Sequence, residues 1–198
     1  THINLVPTLF DWLQLHADFE RYNISSLKLM TYSRSSFSPD KLLSCVQNYW
    51  KPFIQSYGST ETAGCSIAAL DPDDHILEGP GSQRLASAGK PLDGVQIKIM
   101  AGKNRPVRPG EVGEVVVKSN NIMLGYWKQP ELTEKVLQDG WLHTGDFGYI
   151  DAGGYLYVLG RNKEQCISGG NRFGVEELSE MPEAYPTADS YSAIQYHN

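Results

Sequence analysis

Two charged residues, Asp146 and Arg161, lie at the two ends of a segment that has the pattern of a β-hairpin. Two short aromatic and β-branched runs flank Asp151-Ala152-Gly153-Gly154, which is typical of the turn between antiparallel strands. Thr144-Gly145-Asp146 comes immediately before the hairpin and places a carboxylate beside a glycine, where backbone can approach a ligand. Arg161 follows it as a permanent cation. If the hairpin returns the chain on itself, Asp146 and Arg161 flank one small polar ligand, and a ribose diol would suit them.

A second polar segment, Tyr57-Gly58-Ser59-Thr60-Glu61-Thr62, follows a run that predicts a strand from Phe53 to Tyr57. Its aromatic face can stack on a planar base, and its glycine lets backbone approach a ligand. Its hydroxyls can donate to phosphate and its carboxylate can hold magnesium. The loop at the end of such a strand is where open α/β sheets bind ligands.

Each of these signals also has an ordinary structural explanation. A carboxylate placed like Asp146 can cap local backbone amides. An arginine such as Arg161 can pair with a surface carboxylate, and such a pair contributes little to folding stability. A polar segment such as residues 57–62 is more often a turn at a sheet edge than a binding site. Taken singly, none of the segments identifies a function.

Other residues that could bind phosphate or metal lack the spacing that those sites need. Ser168-Gly169-Gly170 has the glycines of a phosphate-binding turn, but no Lys-Ser or Lys-Thr follows to make a P-loop. The histidines show no metal-ligand spacing: His2, His16, His75, His143 and His197. Three widely separated cysteines without a CxxC pair predict reduced, structural thiols in a reducing compartment.

The composition is that of an ordinary globular protein. With 198 residues, 40% hydrophobic and 20% charged, the chain can bury one substantial core. A net charge of -6 argues against a broad surface for nucleic acid or anionic membrane, although it permits a local basic pocket. No apolar run reaches the length of a membrane span and no signal segment is evident. We expect a cytoplasmic protein with no nucleic-acid partner, and we leave peripheral membrane association and oligomeric state open.

The first part of the chain predicts an α/β arrangement that would position residues 57–62. Residues 5–13 read as a strand end that runs into a helix, with Pro7 in its first turn. Residues 27–31 predict a buried strand, and Ser38-Pro39 predicts the start of a helix through about Tyr49. Residues 1–80 are therefore expected to be the C-terminal part of an open α/β sheet subdomain.

The character of the sequence changes after a loop-like stretch at residues 71–81, where we expect a subdomain boundary. The alternation in residues 95–99 and the β-branched run 114–118 predict antiparallel strands, and a short helix is predicted from Pro130 to Gln138. We expect residues 81–162 to form a β-rich, barrel-like subdomain. Residues 163–198 are expected to form a hinge and the start of a small α+β C-terminal domain.

Several motifs occur in a characteristic order: YGSTETAG at 57–64, EVGEVVVKSNNIMLGYWKQPE at 111–131, GWLHTGDFGYIDAGGYLYVLGRNKE at 140–164, and ISGG at 167–170. They closely resemble the adenylate-forming superfamily of acyl-CoA synthetases, aryl-acid CoA ligases, luciferases and peptide-synthetase adenylation domains. The resemblance covers nearly all of residues 5–178. Residues 68–75 and 87–92 are more similar to fatty-acyl or aryl-acid CoA synthetases than to peptide-synthetase domains.

The resemblance implies a two-step ligase reaction. ATP first converts a carboxylate to an acyl-adenylate with release of pyrophosphate, and a thiol, usually that of coenzyme A, then displaces AMP. The implied ligands are ATP, Mg²⁺, coenzyme A and a small-molecule carboxylic acid. The family works by positioning and by electrostatic stabilisation of phosphate charge.

The resemblance also implies roles for individual residues. Tyr57 would line the adenine, and Gly58 and Ser59 belong to the same nucleotide-binding segment. Thr60 would touch phosphate and Glu61 would hold magnesium, which makes these two the catalytic candidates. Asp146 and Arg161 would bind the ribose. The remaining assignments are Arg172 near phosphate, Lys163 at the hinge, Ser168, Gly169 and Gly170 at the pantetheine tunnel, and His2 and Gly64 at the acyl pocket.

The chain also departs from the family pattern. Where the family has a glycine- and proline-bearing segment beside adenine, this chain has residues 32–37, in which Arg34 could reshape that wall. The family's phosphate loop and its adenylation lysine have no counterpart here, so we expect a fragment that is inactive by itself. Two alternatives stay open: a noncatalytic nucleotide-binding or interaction module, and an adenylation domain that loads a carrier-protein thiol.

Overall fold

The fold is taken from a computed structural model, which describes residues 1–16, 18, 21–33, 42, 45, 52–101, 105–161, 165–168 and 171–174. Two large sheets, of five and six strands, contain most of the described strands. The first sheet is mixed and the second is antiparallel. The described chain therefore follows the predicted order of an α/β part and then a β-rich part.

The first sheet has five strands in sequence order. They are β1 (His2–Leu5), β2 (Leu29–Ser33), β3 (Phe53–Ser59), β4 (Gly64–Leu70) and β5 (Lys90–Pro91). Strands β1, β2 and β3 are parallel, whereas β4 runs antiparallel to both β3 and β5. The parallel half confirms the α/β prediction. The antiparallel edge was not predicted, and it exists because β3 and β4 are joined by a short turn rather than by a helical crossover.

Helix α1 (Pro7–Leu15) follows β1 directly, with Pro7 in its first turn as predicted. Its Phe10 is fully buried and meets Phe53 of β3 with ring centroids 5.7 Å apart. Leu42 and Cys45 join the same core, and both are helical. The rest of the helix predicted from Ser38 to Tyr49 lies outside the described residues.

The second sheet has six strands: β6 (Gln96–Ala101), β7 (Arg105–Pro106), β8 (Gly113–Lys118), β9 (Leu137–Gln138), β10 (Trp141–Ile150) and β11 (Leu156–Arg161). Across the sheet their order is β11, β10, β8, β6, β7, and β9 also pairs with β10. All of its pairs are antiparallel. The strands predicted at 95–99 and 114–118 correspond to β6 and β8. The hairpin predicted around residues 151–154 is the β10–β11 connection.

One predicted boundary in this half is wrong. Helix α2 runs from Pro130 to Val136 and stops two residues before the predicted end at Gln138. The reason is that Leu137 and Gln138 form β9 and pair with Leu142 and Trp141 at the start of β10. Pairing with a neighbouring strand here overrides the helical pattern of the sequence.

The two sheets pack on each other along β4. Ile67 and Ala68 of β4 share a buried cluster with Val115, Val117 and Leu156 of the second sheet. Two backbone hydrogen bonds strengthen the contact: Ala88 N–H donates to Leu156 O at 2.6 Å and Leu156 N–H donates to Gly89 O at 2.8 Å. The end of β3 is therefore held at a fixed position relative to the β10–β11 hairpin.

Near the end of the described chain, β12 (Gln165–Ser168) and β13 (Asn171–Gly174) form a separate two-stranded antiparallel sheet.

Strand β5 pairs with β4 of the first sheet, although it lies after the subdomain limit predicted at residue 80. The subdomain limits at residues 80 and 162 stay predictions. Among the described residues, none of the helices has the length and apolar character needed to cross a membrane.

Candidate functional site

The centre of the site is a bulge in β10. His143 is opposite Val116 and Phe147 is opposite Glu114 on β8, so Thr144, Gly145 and Asp146 together face the single residue between those partners. Such a bulge bends a strand and re-aims its side chains. The sequence placed these three residues immediately before the hairpin. That position was wrong, because they lie inside its first strand.

Hydrogen bonds and backbone conformation fix the bulge. Thr144 Oγ1 donates to Val115 O at 2.7 Å and accepts the Asp146 N–H at 3.0 Å. Gly145 has φ 73°, a left-handed conformation that favours glycine. Glu114 Oε1 accepts the Gly145 N–H at 3.2 Å. As a result, the Asp146 side chain is directed inward and is only 7% exposed.

The hairpin register places Asp146 directly opposite Arg161. The Arg161 Nε lies 3.6 Å from Asp146 Oδ1, and Arg161 Nη2 donates to Thr144 O at 2.9 Å. The two ends of the hairpin therefore meet, as the sequence predicted. The arginine is held both by the carboxylate and by the backbone of the bulge.

Tyr57, on β3, reaches the same carboxylate from the first sheet. Its hydroxyl donates to Asp146 Oδ2 at 2.6 Å. Burial is the main cause that raises the pKa of Tyr57, and the negative charge of Asp146 raises it further. The phenol therefore keeps its proton. Burial also raises the pKa of Asp146 above its ordinary value, although the hydrogen bond from Tyr57 and the charge of Arg161 oppose this effect.

Glu61 lies in a single 3₁₀ turn, Thr60–Thr62, between β3 and β4. Thr62 is fully buried and holds the turn, because its Oγ1 accepts the Ser59 N–H and donates to Gly64 O, both at 2.9 Å. Glu61 Oε1 accepts the hydroxyl of Tyr126 at 2.7 Å. Burial tends to raise the pKa of Glu61, but the hydrogen bonds from Tyr126 and Ser59 outweigh it, so the pKa lies below its ordinary value.

A cleft of about 220 Å³ lies between the Glu61 turn and the β10 bulge. Its walls include two hydrogen-bonding carboxylates, two cations and two hydroxyls: Glu61, Glu114, Lys135, Arg161, Ser59 and Thr144. Small-molecule pockets usually measure about 300–1,000 Å³. The cleft therefore has room for a sugar and a phosphate group rather than for a whole nucleotide. Its mixture of donors and acceptors suits a hydroxylated anion.

Gly58 has a packing role inside the first sheet. A Cβ at this position would lie 2.1 Å from Gly64 O and 2.8 Å from the Cα of Cys65. Glycine is therefore required for the close pairing of β3 with β4. Its predicted place in the nucleotide-binding segment stays a prediction. The segment itself is also not a free loop, because Tyr57, Gly58 and Ser59 belong to β3.

Two other predicted site residues, His2 and Gly64, do not line the cleft. His2 is exposed at the start of β1, and Gly64 starts β4 with φ 97° and open space at its Cα. Ser168 is the last residue of β12 and Arg172 lies in β13. The remaining ones lie outside the described residues: Arg34, Lys163, Gly169 and Gly170.

Sequence reasoning missed three residues of the cleft. Glu114 bonds to the bulge and its Oε2 lies 2.9 Å from His143 Nδ1, Tyr126 holds Glu61, and Lys135 adds a cation. Glu114 and Tyr126 both fall in the segment 111–131 that carried part of the resemblance. Their roles depend on the register between β8 and β10 and on the path of the loop after β8, which no local pattern specifies.

Glu61 is also the residue to test as a magnesium ligand. Among the described residues, no three His, Cys, Asp or Glu side chains group together as a metal site. Mg²⁺ is nevertheless usually bound through one or two carboxylates together with substrate phosphates and water. A single ionised carboxylate at the rim of a cleft with room for a phosphate fits that pattern.

Several known proteins are similar to this chain over most of its length. The AMP-binding enzyme family matches residues 1–127. The feruloyl-CoA synthase of Amycolatopsis sp is 34% identical over 189 residues, which cover 96% of this chain and 37% of that protein. The amide bond synthetase McbA from Marinactinospora thermotolerans has a TM-score of 0.81 and 32% identity, over 94% of this chain and 36% of that one.

A third similar protein was solved with a nucleotide. O-succinylbenzoate coenzyme A synthetase (MenE) from Bacillus subtilis, in complex with ATP and magnesium ion, has a TM-score of 0.70 and 34% identity. The match covers 94% of this chain and 37% of that one. The chain thus spans little more than a third of the length of these relatives. These similarities confirm the predicted fold class.

Proposed function

The chain belongs to the AMP-binding enzyme family, and from that membership we propose that it is part of an acid–CoA ligase that activates a carboxylic acid with ATP. The observation that carries the proposal is the meeting of Tyr57, Asp146 and Arg161 beside the cleft at Glu61. These residues come from two sheets and two separated motifs, residues 57–64 and 140–164. A shared nucleotide site explains why such distant polar residues converge.

In this proposal, the ribose and base of the nucleotide lie along Asp146. Its Oδ2 is engaged by Tyr57, which leaves Oδ1, beside Arg161, as an acceptor for a ribose hydroxyl. The Tyr57 ring, at the end of β3, would contact the adenine. Since Asp146 is buried, each hydrogen bond that it accepts from the sugar is shielded from water and contributes more than one at the surface.

The phosphates would extend toward the Glu61 turn. Thr60, which is exposed on that turn, would donate to phosphate, and Lys135 and Arg161 would offset its charge. A magnesium ion, when bound by Glu61 and the phosphate oxygens, would neutralise further charge. The acid's carboxylate oxygen then attacks the α-phosphorus, pyrophosphate leaves, and the acyl group is joined to AMP.

In the second step, a nucleophile attacks the acyl carbon and AMP leaves. We propose coenzyme A as that nucleophile, supported by the 34% identity to a CoA synthase. Ser168, Gly169 and Gly170 would border its pantetheine arm, Lys163 would be the hinge, and Arg172 would approach phosphate. His2 and Gly64 stay proposed for the acyl pocket, although they do not line the cleft described here.

A second candidate shares the first step and differs in the acceptor. The similarity to an amide bond synthetase, with a TM-score of 0.81, favours an amine as the group that displaces AMP. The two candidates predict different products from the same acyl-adenylate. They can be distinguished by supplying coenzyme A or a primary amine and identifying the product by mass spectrometry.

The test of the proposal combines binding with turnover. Calorimetry of the 198-residue chain with AMP should give saturable binding. Pyrophosphate release with ATP, Mg²⁺ and a panel of fatty and aryl acids should be negligible, since the chain spans about 37% of a matched relative. Absence of AMP binding would reject the proposed site. Acid-dependent pyrophosphate release would support the reaction and overturn the expected inactivity of the chain.

A further inference from the structure

The loop between β8 and α2, residues 119–129, donates two hydrogen bonds to Glu61. The Met123 N–H donates to Glu61 O at 2.7 Å. The Tyr126 hydroxyl donates to Glu61 Oε1, also at 2.7 Å, from a position 65 residues further along the chain. The first bond fixes the backbone of the 3₁₀ turn and the second fixes the carboxylate.

Helix α2 in turn anchors Tyr126. The Tyr126 N–H donates to Thr133 Oγ1 at 2.9 Å, and the same hydroxyl donates to Gln129 O at 2.9 Å. Thr133 therefore ties the loop to the first turns of the helix. A continuous set of hydrogen bonds runs from α2 through Tyr126 to the Glu61 carboxylate.

This arrangement addresses a physical difficulty of the site. A glutamate on a short turn has a flexible side chain, and holding it in one rotamer costs conformational entropy. Tyr126 supplies an oriented donor that selects one carboxylate position before any ligand arrives. Tyr126 engages only Oε1 of Glu61, and Ser59 is a second donor to the same carboxylate.

We propose that Tyr126 is a positioning residue that holds the Glu61 carboxylate at the rim of the cleft in the orientation used for metal-bound triphosphate. The metal part of this inference rests on the proposed function. Among the described residues, the Tyr126 ring belongs to none of the buried hydrophobic clusters. Its contribution is therefore mainly to the geometry of Glu61 rather than to the packing of a core.

The test uses Tyr126→Phe, which keeps the ring and removes the hydroxyl. We expect crystal structures of the wild-type and variant chains to show Glu61 in one orientation in the wild type and displaced in the variant. By calorimetry, the variant should bind ATP with Mg²⁺ about fivefold to tenfold more weakly, as expected for loss of one hydrogen bond to a charged group. AMP binding in EDTA should weaken less than binding of ATP with Mg²⁺, because Tyr126 contacts Glu61 rather than Asp146.

Two further variants separate geometry from general disruption. Thr133→Val removes the hydroxyl that accepts the Tyr126 N–H and should weaken binding of ATP with Mg²⁺. Thr133→Ser keeps the hydroxyl and should bind ATP with Mg²⁺ as the wild type does. Tyr22→Phe removes a tyrosine hydroxyl from an exposed position and should change neither measurement.

The measurements can overturn the positioning role of Tyr126 and the proposed function separately. An unchanged Glu61 orientation in Tyr126→Phe would overturn the positioning role, and so would an equal loss of AMP and Mg²⁺–ATP affinity. A wild-type chain that binds neither nucleotide would reject the proposed function. The crystal structures would in that case still decide whether Tyr126 positions Glu61.

Discussion

Tyr57 and Asp146 are 89 residues apart in the sequence and are joined by a hydrogen bond of 2.6 Å between the phenol and the carboxylate. This bond connects the end of β3 in the first sheet to the bulge of β10 in the second. It is the most direct link between the two polar motifs. The pair therefore adds a polar contact between the sheets to the apolar one along β4.

Replacing Tyr57 with phenylalanine should lower the free energy of unfolding by about 1–3 kcal/mol, because a buried carboxylate loses its donor. The loss should grow as the pH rises above about 4. The reason is that the hydrogen bond from Tyr57 lowers the pKa of Asp146, so its removal raises the folded pKa further and makes ionisation of Asp146 more costly in the folded state. Urea unfolding between about pH 4 and 7 measures both effects.

The exposed Tyr22 provides the control for this substitution. Tyr22→Phe should change the free energy of unfolding by less than about 0.5 kcal/mol. Equal stabilities for Tyr57→Phe and Tyr22→Phe at neutral pH would contradict the importance of the Tyr57–Asp146 bond.

The bulge makes a second prediction, for Gly145→Ala. The left-handed φ of 73° is strained for alanine, so we expect a loss of about 1–2 kcal/mol of stability. AMP binding should weaken as well, since Gly145 is adjacent to Asp146 and its N–H bonds to Glu114. Thermal unfolding and calorimetry measure the two effects separately.

Gly154 is a matched control for this backbone strain. It has φ 82° in the hairpin turn, and a Cβ there would meet nothing within 4 Å. Gly154→Ala should cost a similar amount of stability while leaving AMP affinity unchanged. If both glycine variants lost AMP binding equally, the bulge would have no specific role in the site.

A third prediction concerns His75, which lies between two hydrogen-bonding partners. Its Nδ1 lies 2.8 Å from Asp71 O, which can only accept, so Nδ1 carries the proton and the neutral ring presents Nε2 to the Tyr32 hydroxyl at 3.2 Å. Burial lowers the pKa of His75 below 6.5. The unfolded chain therefore takes up a proton more readily than the folded one.

The sign of the pH effect follows from that difference. The stabilising contribution of neutral His75 is complete above about pH 6.5 and is lost as the pH falls through its lowered folded pKa. Urea unfolding from about pH 7.5 to about pH 5 should show a steeper loss for the wild type than for His75→Gln. Identical slopes for wild type and His75→Gln would show that His75 does not titrate as described.

Local patterns in the sequence predicted much of this fold. The alternation of residues 95–99, the β-branched run 114–118 and the turn at 151–154 each identified a strand or hairpin that the structure contains. Strand β9 and the antiparallel edge at β4 were not predicted, although their partners β10 and β3 are close in the sequence. Both depend on strand pairing, which the propensity of a segment does not specify.

The candidate site was predictable in a similar, partial way. The proximity of Asp146 to Arg161 follows from a hairpin register, and the sequence indicated it. Glu114 and Tyr126 could not be found, because their contacts require the bulge between β8 and β10 and the return of the 119–129 loop to Glu61. The roles first assigned to the site residues from family resemblance stay predictions until they are measured.

The central claim is that the cleft beside Asp146 binds the sugar of an adenine nucleotide. Calorimetric titration of AMP into the 198-residue chain and into Asp146→Asn tests it directly, with the exposed Asp93→Asn as control. We predict saturable binding by the wild type and by Asp93→Asn, and a loss of about tenfold or more for Asp146→Asn, as expected when a charged acceptor becomes neutral. Equal affinity of Asp146→Asn and wild type, or no binding by the wild type, would contradict the claim.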